Sequence, residues 1–227
     1  MPLRTLAIGD IHGSDLALET LLARLEISSA DTVVVLGDVI DRGPGSKQAI
    51  ERLLALKQQC RLVLILGNHE EMFLDAIDRG VSTEAWLRYG GTATLFSYDG
   101  DARKIPKSHI DFLRSGVDYW ETATDIFIHA NLEPGVPLER QRSEWLRWTH
   151  ITGKERPHPS GKHIICGHTP QKTGEPFVLQ GWTGIDTYAC GTGWLTGLDV
   201  ASGEYWQADQ SRQSRCGKLP NWRVRTQ

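Results

Sequence analysis

Three short motifs in the first third of the sequence contain side chains that can bind metals or transfer protons. They are GDIHG at residues 9–13, GDVIDRG at residues 37–43 and GNHE at residues 67–70. Each follows a run of apolar residues typical of a buried strand. Their separations are close to the length of one strand–helix–strand unit. Because ligands bind just outside the carboxyl ends of strands in an open α/β sheet, we expect the three motifs to converge in space.

The residue types in these motifs are those that hold divalent metals. Asp10 and His12 are two residues apart, and extended backbone leaving a strand can aim both side chains at one point. Asp38 comes from the neighbouring predicted strand, where its carboxylate can bridge two cations. Asn68 offers a neutral amide oxygen from the third motif. A cluster of this kind at one edge of a parallel sheet predicts a metal site.

Two histidines in the second half of the sequence complete the predicted ligand set. His129 follows the apolar run IFI, and His168 follows IICG. The six side chains together offer mixed oxygen and nitrogen ligation, which suits manganese, iron or zinc better than calcium or magnesium. Six ligands are too many for one metal with an open position. We expect them to divide over two metals about 3.5–4 Å apart, the arrangement used for in-line displacement at phosphorus.

Further polar side chains are suited to acid catalysis and phosphate binding. His69 lies in the third motif and Asp41 in the second. A neighbouring carboxylate would orient His69 and raise its pKa, so that it stays protonated as a general acid. Arg42 can present a planar fork to phosphate oxygens. A second arginine is expected on the opposite side of the phosphate, and Arg147 in the segment WLRW is the candidate.

Hydrophobic patterns in the sequence predict the strands and helices that must position these residues. Apolar runs at 3–8, 32–36 and 61–66 predict buried parallel strands. Apolar residues at helical spacing predict helices at 15–25 and 47–56 between those strands. The first half of the chain is therefore predicted to be a βαβαβ unit.

The second half reads mainly as strands joined by short turns. Further helices are predicted at 70–78, 83–89 and 107–115, and strands at 117–121, 125–129, 163–166, 176–179, 182–186, 195–200 and 205–208. The simplest architecture for this order is an α/β (α+β) fold of two packed sheets flanked by helices.

Length and composition describe an ordinary soluble chain. With 227 residues, we expect a single domain over residues 1–210 and a basic tail over residues 211–227, either packed or disordered. A net charge of −3 and the lack of a long apolar run argue against nucleic-acid and membrane partners. The four cysteines form no Cys-x-x-Cys pair, so they are expected to be reduced thiols of a cytoplasmic protein, which we expect to be a monomer.

The ordered set of motifs resembles the phosphoprotein phosphatase family of the calcineurin-like metallophosphoesterases, specifically its short bacterial and bacteriophage serine/threonine phosphatase branch. The resemblance covers nearly the whole chain. Besides the three motifs above, it rests on His129-Ala130, Trp-x-Arg at 145–147, GHT at 167–169, IDT at 185–187 and WLRYGG at 86–91.

The resemblance implies a fold, a metal centre and roles for individual residues. The implied fold is a β-sandwich of two mixed sheets flanked by helices. Two divalent metals are implied, manganese first, with iron, zinc, cobalt or nickel as alternatives. The implied metal ligands are Asp10, His12 and Asp38 for the first metal, and Asp38, Asn68, His129 and His168 for the second. The implied catalytic acid pair is His69 with Asp41, and the implied phosphate-binding residues are Arg42, Arg147 and Asn68.

The activity implied by the resemblance is that of a metal-dependent phosphomonoesterase. A serine/threonine protein phosphatase is the first expectation, with a metal-bridging hydroxide that attacks phosphorus directly. The partner is then a phosphorylated protein or a small phosphate ester. A diadenosine tetraphosphate (dinucleoside polyphosphate) hydrolase shares the ligand set and stays open as an alternative. A non-catalytic binding protein is a more distant alternative, which predicts a missing ligand.

Two departures from the family pattern bear on substrate choice. The sequence has Gly167-His168-Thr169-Pro170 where nucleases and cyclic-nucleotide phosphodiesterases have Gly-His-x-His. The absent second imidazole favours the phosphatase branch. Tyr188 stands where family members often have glycine. We therefore expect Tyr188, together with Trp194, to shape the substrate groove.

Overall fold

Two mixed β-sheets form the centre of the chain, described here by a computed structural model over residues 3–81, 83–220 and 222. The strands are β1 (Thr5–Ile8), β2 (Thr32–Val35), β3 (Arg61–Leu64), β4 (Tyr119–Glu121), β5 (Asp125–Ile128), β6 (His163–Cys166), β7 (Phe177–Leu179), β8 (Trp182–Gly184), β9 (Leu195–Asp199), β10 (Glu204–Ala208) and β11 (Ser214–Lys218). The first sheet has the order β11-β10-β9-β1-β2-β3, and the second has the order β4-β5-β6-β8-β7.

Helices follow the strands in the first half and interrupt them in the second. They are α1 (Asp15–Leu25), α2 (Ser46–Leu56), α3 (Asn68–Arg79), α4 (Thr83–Trp86), α5 (Thr92–Ser97), α6 (Lys107–Arg114) and α7 (Ser143–Trp148). Strands β1, β2 and β3 run parallel to one another, as do β5, β6 and β8. Both parallel sets therefore direct their carboxyl ends to one edge of their sheet.

Side-chain alternation in β1 separates two apolar layers. Leu6 and Ile8 pack with Leu18 and Leu21 of α1, whereas Ala7 belongs to the layer between the sheets. All five side chains are fully buried. Burying a leucine or isoleucine side chain contributes roughly 1.5–3 kcal/mol. A strand covered on both faces therefore favours apolar residues at consecutive positions, as the sequence shows at residues 6–8.

Side chains also alternate between the two faces of the second sheet, and those on its outer face form a third apolar layer. Phe127 and Ile165 face the first sheet, whereas Ile126 and Ile128 lie on the outer side with Leu146 of α7. The two sheets thus pack face to face with helices outside them. The predicted α/β (α+β) fold of two mixed sheets flanked by helices is confirmed.

The helix predicted over residues 83–89 is shorter in the structure. α4 ends at Trp86, and a π-helical turn at Leu87–Gly91 leads into α5. Gly90 has φ 120°, which a residue with a Cβ rarely adopts, and a Cβ there would lie 2.9 Å from the backbone nitrogen of Arg42. The glycine pair therefore ends the helix and lets this segment approach the second motif.

The sequence does not predict α5, α7 or β11. The two helices have six residues each, which is too short for a clear period. β11 reads SRCGK and lacks an apolar run, because it is an edge strand paired only with β10. The domain boundary expected at residue 210 falls between β10 and β11 of one sheet.

The structure describes part of the predicted basic tail, and Ser214–Lys218 within it form β11. Beyond β11, the ring of Trp222 contacts the ring of His163 at a centroid distance of 4.9 Å. Residues 221 and 223–227 lie outside the described residues. Within the described part of the chain, no helix combines the length and apolar character that crossing a bilayer requires.

Candidate metal centre

The carboxyl ends of β1, β2, β5 and β6 bring the predicted ligands to one place. Asp10 and His12 follow β1, and Asp38 follows β2. His129 directly follows β5, and His168 follows β6 after one glycine. The sixth ligand, Asn68, is the first residue of α3. The two sheets contribute to one cluster because their parallel strands end on the same side of the sandwich.

Four acceptor atoms converge around His129. Its Nδ1–H donates to the carbonyl oxygen of Leu36 at 2.7 Å, which leaves Nε2 as a lone pair. That Nε2 lies 3.1 Å from Oδ1 of Asn68, 3.1 Å from Nδ1 of His168 and 3.5 Å from Oδ2 of Asp38. Three of these atoms are acceptors with no hydrogen to share, and the imidazole nitrogen of His168 completes the set. A cation satisfies such a group of atoms, so the residues fit a metal ion.

A second group of acceptors forms around His12. Its Nδ1–H donates to the carbonyl oxygen of Ile40 at 3.0 Å, and its Nε2 lies 3.4 Å from Oδ2 of Asp38. Nε2 of His69 lies 4.0 Å from the same oxygen. Asp38 is therefore shared by two groups of ligands. One group contains His12 and His69, and the other contains His129 and His168. Within each group, the ligand atoms lie within 4.8 Å of one another.

The protonation of the cluster favours metal binding. Burial lowers the pKa of His12 to about 3, and burial likewise lowers the pKa of His168 to about 3, with His129 adding to the effect. Both rings are therefore neutral at pH 7, as a metal ligand must be. Burial opposes the charge on Asp38, but the surrounding imidazoles, His129 first, hold the pKa of this carboxyl below its usual value.

Asp10 lies beside this group and holds a neighbouring loop. Its carboxylate oxygens accept the backbone N–H of His168 at 3.0 and 3.2 Å. A Cβ at Gly167 would lie 2.0 Å from Oδ1 of Asp10, so position 167 has to be glycine. Burial, Asp186 and Asp38 raise the pKa of Asp10, because three carboxylates share a small buried volume. A cation in this volume removes that repulsion.

The loops that carry the ligands have unusual backbone geometry. His12, Asp38 and His168 have φ values of 45°, 48° and 62°, in the left-handed region that residues with side chains seldom adopt. Such conformations cost of order 1–3 kcal/mol each and persist where the surrounding structure imposes them. Their concentration at this sheet edge marks it as a functional site.

Glu70 is one of the residues that impose this geometry. Its fully buried carboxylate accepts the backbone N–H groups of Asp38 at 2.7 Å, Val39 at 2.8 Å and Gly67 at 3.0 Å. One side chain on α3 thereby fixes the second and third motifs against each other. The sequence analysis used Glu70 only as part of the GNHE motif and assigned it no role.

His69 and Asp41 form the predicted pair. Nδ1 of His69 lies 2.7 Å from Oδ2 of Asp41, and both side chains are fully buried. The Asp41 carboxylate also accepts the indole N–H of Trp86 at 3.0 Å and the hydroxyl of Thr94 at 2.6 Å. Burial disfavours a charged His69, but Asp38 and the hydrogen bond to Asp41 outweigh it and raise the pKa of His69. The imidazole therefore retains a proton more readily than an isolated histidine.

Arg42 projects its guanidinium over the cluster. Nη1 lies 2.9 Å from Nε2 of His12, and Nη2 lies 3.0 Å from Nε2 of His69. Its backbone N–H donates to the carbonyl oxygen of Gly90 at 3.2 Å, which fixes the base of the side chain. An exposed arginine that spans both imidazoles is placed to bind an anion between them.

Arg147 lies near the cluster but has other partners. Its guanidinium forms ion pairs with Glu71 and Asp118, and the indole N–H of the adjacent Trp148 donates to Glu71 at 2.6 Å. Among the contacts of the described residues, none joins Arg147 to a predicted metal ligand. Its charge is close enough to add to burial in lowering the pKa of His129. The expectation that Arg147 binds phosphate stays a prediction.

Asp186 and His150 belong to this region, and the sequence analysis assigned neither to the site. Asp186 follows β8 and is buried, and burial, together with Asp38, raises its pKa to about 7. The signal for Asp186 was its place in the IDT motif after an apolar run. His150 stacks on His168 with ring centroids 4.5 Å apart. No sequence signal marked His150, because a contact between two loops has no local pattern.

At Tyr188, where family members often have glycine, the backbone has a conformation that favours glycine. Tyr188 has φ 66°, a conformation that glycine adopts without cost. A Cβ at Gly191 would lie 2.1 Å from the Tyr188 ring, so the loop has a glycine there to admit the tyrosine. The guanidinium carbon of Arg215 lies 4.7 Å from the centre of the Trp194 ring. The expectation that Tyr188 and Trp194 shape the groove stays a prediction.

The chain resembles known proteins along most of its length. Residues 3–202 match the model of the calcineurin-like phosphoesterase family. The asymmetrical bis(5'-nucleosyl)-tetraphosphatase PrpE of Anoxybacillus flavithermus is 26% identical over 221 residues, which cover 84% of this chain and 88% of the relative.

Two further relatives are more similar over shorter stretches. A symmetrical bis(5'-nucleosyl)-tetraphosphatase of Acidovorax ebreus is 44% identical over 70 residues, 30% of this chain and 24% of the relative. Serine/threonine-protein phosphatase 1 of Salmonella typhimurium is 40% identical over 85 residues, 37% of this chain and 37% of the relative. These matches span 24% and 37% of the relatives' lengths.

Solved structures share the fold at low sequence identity. A candidate diadenosine tetraphosphatase superposes with a TM-score of 0.68 at 19% identity, covering 96% of this chain and 94% of the other. A protein serine/threonine phosphatase from Saccharomyces cerevisiae superposes with a TM-score of 0.63 at 15% identity, covering 96% and 80%. Likeness at these identities establishes the fold alone.

Proposed function

This chain belongs to the calcineurin-like phosphoesterase family, and from that membership we propose that it hydrolyses phosphate monoesters at a centre of two divalent cations. The observation that carries the proposal is the position of Asp38. Oδ2 of this residue lies 3.4 Å from the unprotonated nitrogen of His12 and 3.5 Å from that of His129. A carboxylate between two sets of acceptors is the arrangement that bridges two cations.

The chain's own residues divide into ligands and groups that handle the substrate. Asp38, Asn68, His129 and His168 would hold one cation, and Asp10 and His12 would hold the other together with Asp38. Cations in these positions supply Lewis-acid stabilisation of phosphate charge and lower the pKa of water. None of the ligands of the family pattern is missing, which argues against a non-catalytic binding protein.

Two groups act on the substrate directly in this proposal. Arg42 binds phosphate oxygens through its guanidinium fork and neutralises their charge. His69, held by Asp41, donates a proton to the departing oxygen; although burial opposes its charge, Asp38 and the hydrogen bond to Asp41 raise its pKa, which favours this role. Trp86 and Thr94 hold the Asp41 carboxylate in one orientation, so the imidazole cannot turn away.

The first candidate substrate is a protein phosphorylated on serine or threonine. The resemblance of the ordered motifs favours this class, and the match to a serine/threonine phosphatase of Salmonella typhimurium supports it. The pairing of His69 with Asp41 suits an alkoxide leaving group, which needs a proton to depart. Manganese remains the first choice of metal, and a cytoplasmic monomer remains the expected setting.

The second candidate substrate is a dinucleoside tetraphosphate. The match that covers most of both chains is to a protein named as an asymmetrical tetraphosphatase, which favours this class. The metal ligands and the acid pair serve both substrates equally. Recognition of the group attached to the scissile phosphate therefore decides between them.

The test is metal-dependent hydrolysis by chelator-stripped protein reloaded with manganese. p-Nitrophenyl phosphate reports the chemistry, while a phosphoserine peptide and diadenosine tetraphosphate report the substrate class in parallel. We expect turnover of p-nitrophenyl phosphate that is lost with chelator and restored by metal. No turnover with two metals bound per chain by elemental analysis would overturn the proposal.

A further inference from the structure

The loop between β8 and β9, residues 185–194, lies against the metal centre. A Cβ at Gly9, in the first motif, would lie 2.3 Å from the carbonyl oxygen of Ile185, so the loop begins in contact with the end of β1. Farther along the loop, burial raises the pKa of the Cys190 thiol, and the nearby charge of Arg42 counters this shift. The loop therefore borders both the first motif and the arginine proposed to bind phosphate.

Hydrogen bonds at the base of this loop hold it closed. The backbone N–H of Trp194 donates to the carbonyl oxygen of Thr187 at 2.9 Å, and the hydroxyl of Thr187 donates to the carbonyl oxygen of Trp194 at 2.6 Å. Between them, the backbone N–H groups of Gly191 and Gly193 donate to the carbonyl oxygen of Tyr188, each at 3.1 Å. The position of the loop is therefore set where Thr187 meets Trp194.

A chain of hydrogen bonds connects this base to Arg215 on β11. Nε of Arg215 donates to Oε1 of Gln207 at 2.6 Å, and Nε2 of Gln207 donates to the hydroxyl of Thr196 at 2.7 Å. The Thr196 hydroxyl lies 2.5 Å from the hydroxyl of Thr187. Gln207, Thr196 and Thr187 are buried, so each side chain depends on its neighbour in the chain for a hydrogen-bond partner.

Arg215 determines the direction of the hydrogen bonds in this chain. A guanidinium can only donate, so Gln207 presents its amide oxygen to Arg215 and its amide nitrogen to Thr196. The Thr196 hydroxyl, which accepts from Gln207, then donates to Thr187, and Thr187 donates to the carbonyl oxygen of Trp194. Removal of the first donor leaves a buried acceptor without its partner and permits the Gln207 amide to rotate.

Arg215 also contacts the residue at which this chain ends. Its guanidinium carbon lies 4.7 Å from the centre of the Trp194 ring, and its Nη2 donates to the carbonyl oxygen of Gly174 at 2.7 Å. The same carbonyl accepts Nε2 of Gln207 at 2.9 Å. An ion pair with Glu175 at 2.8 Å holds the guanidinium from another side. One side chain of the predicted basic tail is thus fixed against both ends of the hydrogen-bond chain.

We propose that Arg215 is a positioning residue for the phosphate site. Through Gln207 and Thr196 it fixes the β8–β9 loop beside Arg42, and the loop limits the orientations that the Arg42 guanidinium can adopt. This role rests on the proposed function, in which Arg42 binds phosphate. It makes β11 part of the support of the site, although the sequence analysis placed this segment outside the domain.

The test compares Arg215→Ala and Arg215→Lys with Arg212→Ala. Arg212 belongs to the same segment, but its guanidinium pairs with Glu19 on α1, so its removal takes away an equal charge outside the hydrogen-bond chain. Arg215→Lys keeps the charge but lacks the planar fork that reaches Gln207 and Gly174 together. Calorimetric titration with inorganic phosphate and steady-state kinetics with p-nitrophenyl phosphate, both on manganese-loaded protein, report on the phosphate site.

Both Arg215 variants should raise KM and the dissociation constant of inorganic phosphate by about fivefold, with kcat changed by less than about twofold. The reason is that the metal ligands and His69 stay in place, whereas the Arg42 guanidinium is held less firmly. Elemental analysis should still find two metals per chain. Arg212→Ala should match wild type in all of these measurements.

A double-mutant cycle tests whether Arg215 acts through Arg42. In Arg42→Ala protein, adding Arg215→Ala should weaken phosphate binding no further. An effect as large as that in the wild-type background would overturn the positioning role, since a purely structural effect does not require Arg42.

Hydrogen exchange measured by mass spectrometry reports on the loop without reference to activity. Peptides that contain the amide of Trp194 should exchange about tenfold faster in Arg215→Ala, while peptides from α2 should exchange as in wild type. If α2 is loosened as well, the phosphate affinity of Arg215→Lys decides, and a wild-type value there would overturn the proposal.

Unchanged KM and phosphate affinity in both Arg215 variants would also overturn it, even with faster exchange in the loop, because Arg215 would then support the fold alone. Wild-type protein that binds phosphate but hydrolyses no ester would instead reject the proposed function. The phosphate titrations of the Arg215 variants would still test the positioning role in that case.

Discussion

Nδ1 of His69 lies 2.7 Å from Oδ2 of Asp41, inside a shell that excludes water from both side chains. Trp86 and Thr94 occupy the other lone pairs of the carboxylate. His69 also lies within 4.0 Å of Asp38, so position alone allows it to act as an acid or as a metal ligand. The two roles predict different consequences of its removal.

His69→Ala is expected to lower kcat by about 10²–10⁴ for an ester with an alkoxide leaving group, because it removes a general acid. Two metals should still bind per chain, as measured by elemental analysis. A fast ester such as p-nitrophenyl phosphate should lose less activity, since its leaving group needs no proton. Loss of a metal in this variant would instead assign His69 as a ligand.

Asp38→Asn is expected to lower the metal content of the protein. The substitution removes the charge that His12 and His129 share at 3.4 and 3.5 Å, and it leaves two sets of acceptors without a common anion. Metal content after dialysis measures the effect, and Asp41→Asn serves as a control carboxylate outside the ligand set. Full occupancy by two metals in Asp38→Asn would refute the bridging role.

Arg42→Ala and Arg147→Ala are expected to differ. Arg42 spans His12 and His69 with an exposed guanidinium, so its removal should raise KM for phosphate esters by about tenfold or more. Arg147 is engaged by Glu71 and Asp118, so its removal should mainly lower thermal stability, because Asp118 loses this ion pair and Glu71 keeps the indole N–H of Trp148 as its partner. Steady-state kinetics and thermal unfolding of both variants test the contrast. Equal KM effects would place Arg147 in the phosphate site.

Asp31 lies away from the metal centre and makes the stability of the fold depend on pH. Its buried carboxylate accepts two hydrogen bonds from Arg4, at 2.7 and 3.1 Å, and one from the backbone N–H of Ser28 at 2.8 Å. The Arg4 hydrogen bonds are the main cause that lowers the pKa of Asp31 from 3.8 to about 2. A lowered carboxylate pKa means stability that is present above about pH 4 and lost as the pH falls through 2.

Asp31→Asn should therefore lower the free energy of unfolding by about 2 kcal/mol at pH 6. The difference from wild type should shrink steadily as the pH falls from 4 toward 2, because the wild-type carboxyl then becomes neutral. Urea unfolding across this range measures it. Glu144→Gln, which breaks an exposed pair with Arg142 at 3.9 Å, is the control and should change stability little at any pH. A constant difference at all pH values would contradict the ionic origin.

Much of the fold and of the ligand set could be predicted from local pattern. The strands that precede Asp10 and Asp38 are buried on both faces, so they are apolar after their first residue, and recognisable polar motifs follow them. Parallel strands then bring their carboxyl ends together without further information. The same argument failed for β11, an edge strand whose half-exposed pairing imposes no apolar run on its sequence.

The sequence by itself determined which residues can hold metals and which strands carry them, because both depend on residue type and short-range periodicity. Only the tertiary structure decided how those residues are used. Carbonyl oxygens distant in sequence orient His12 and His129, and two carboxylates from other elements engage Arg147. The stacking of His150 on His168 likewise joins two separate loops. Contacts of this kind depend on the relative placement of distant segments, which no local pattern encodes.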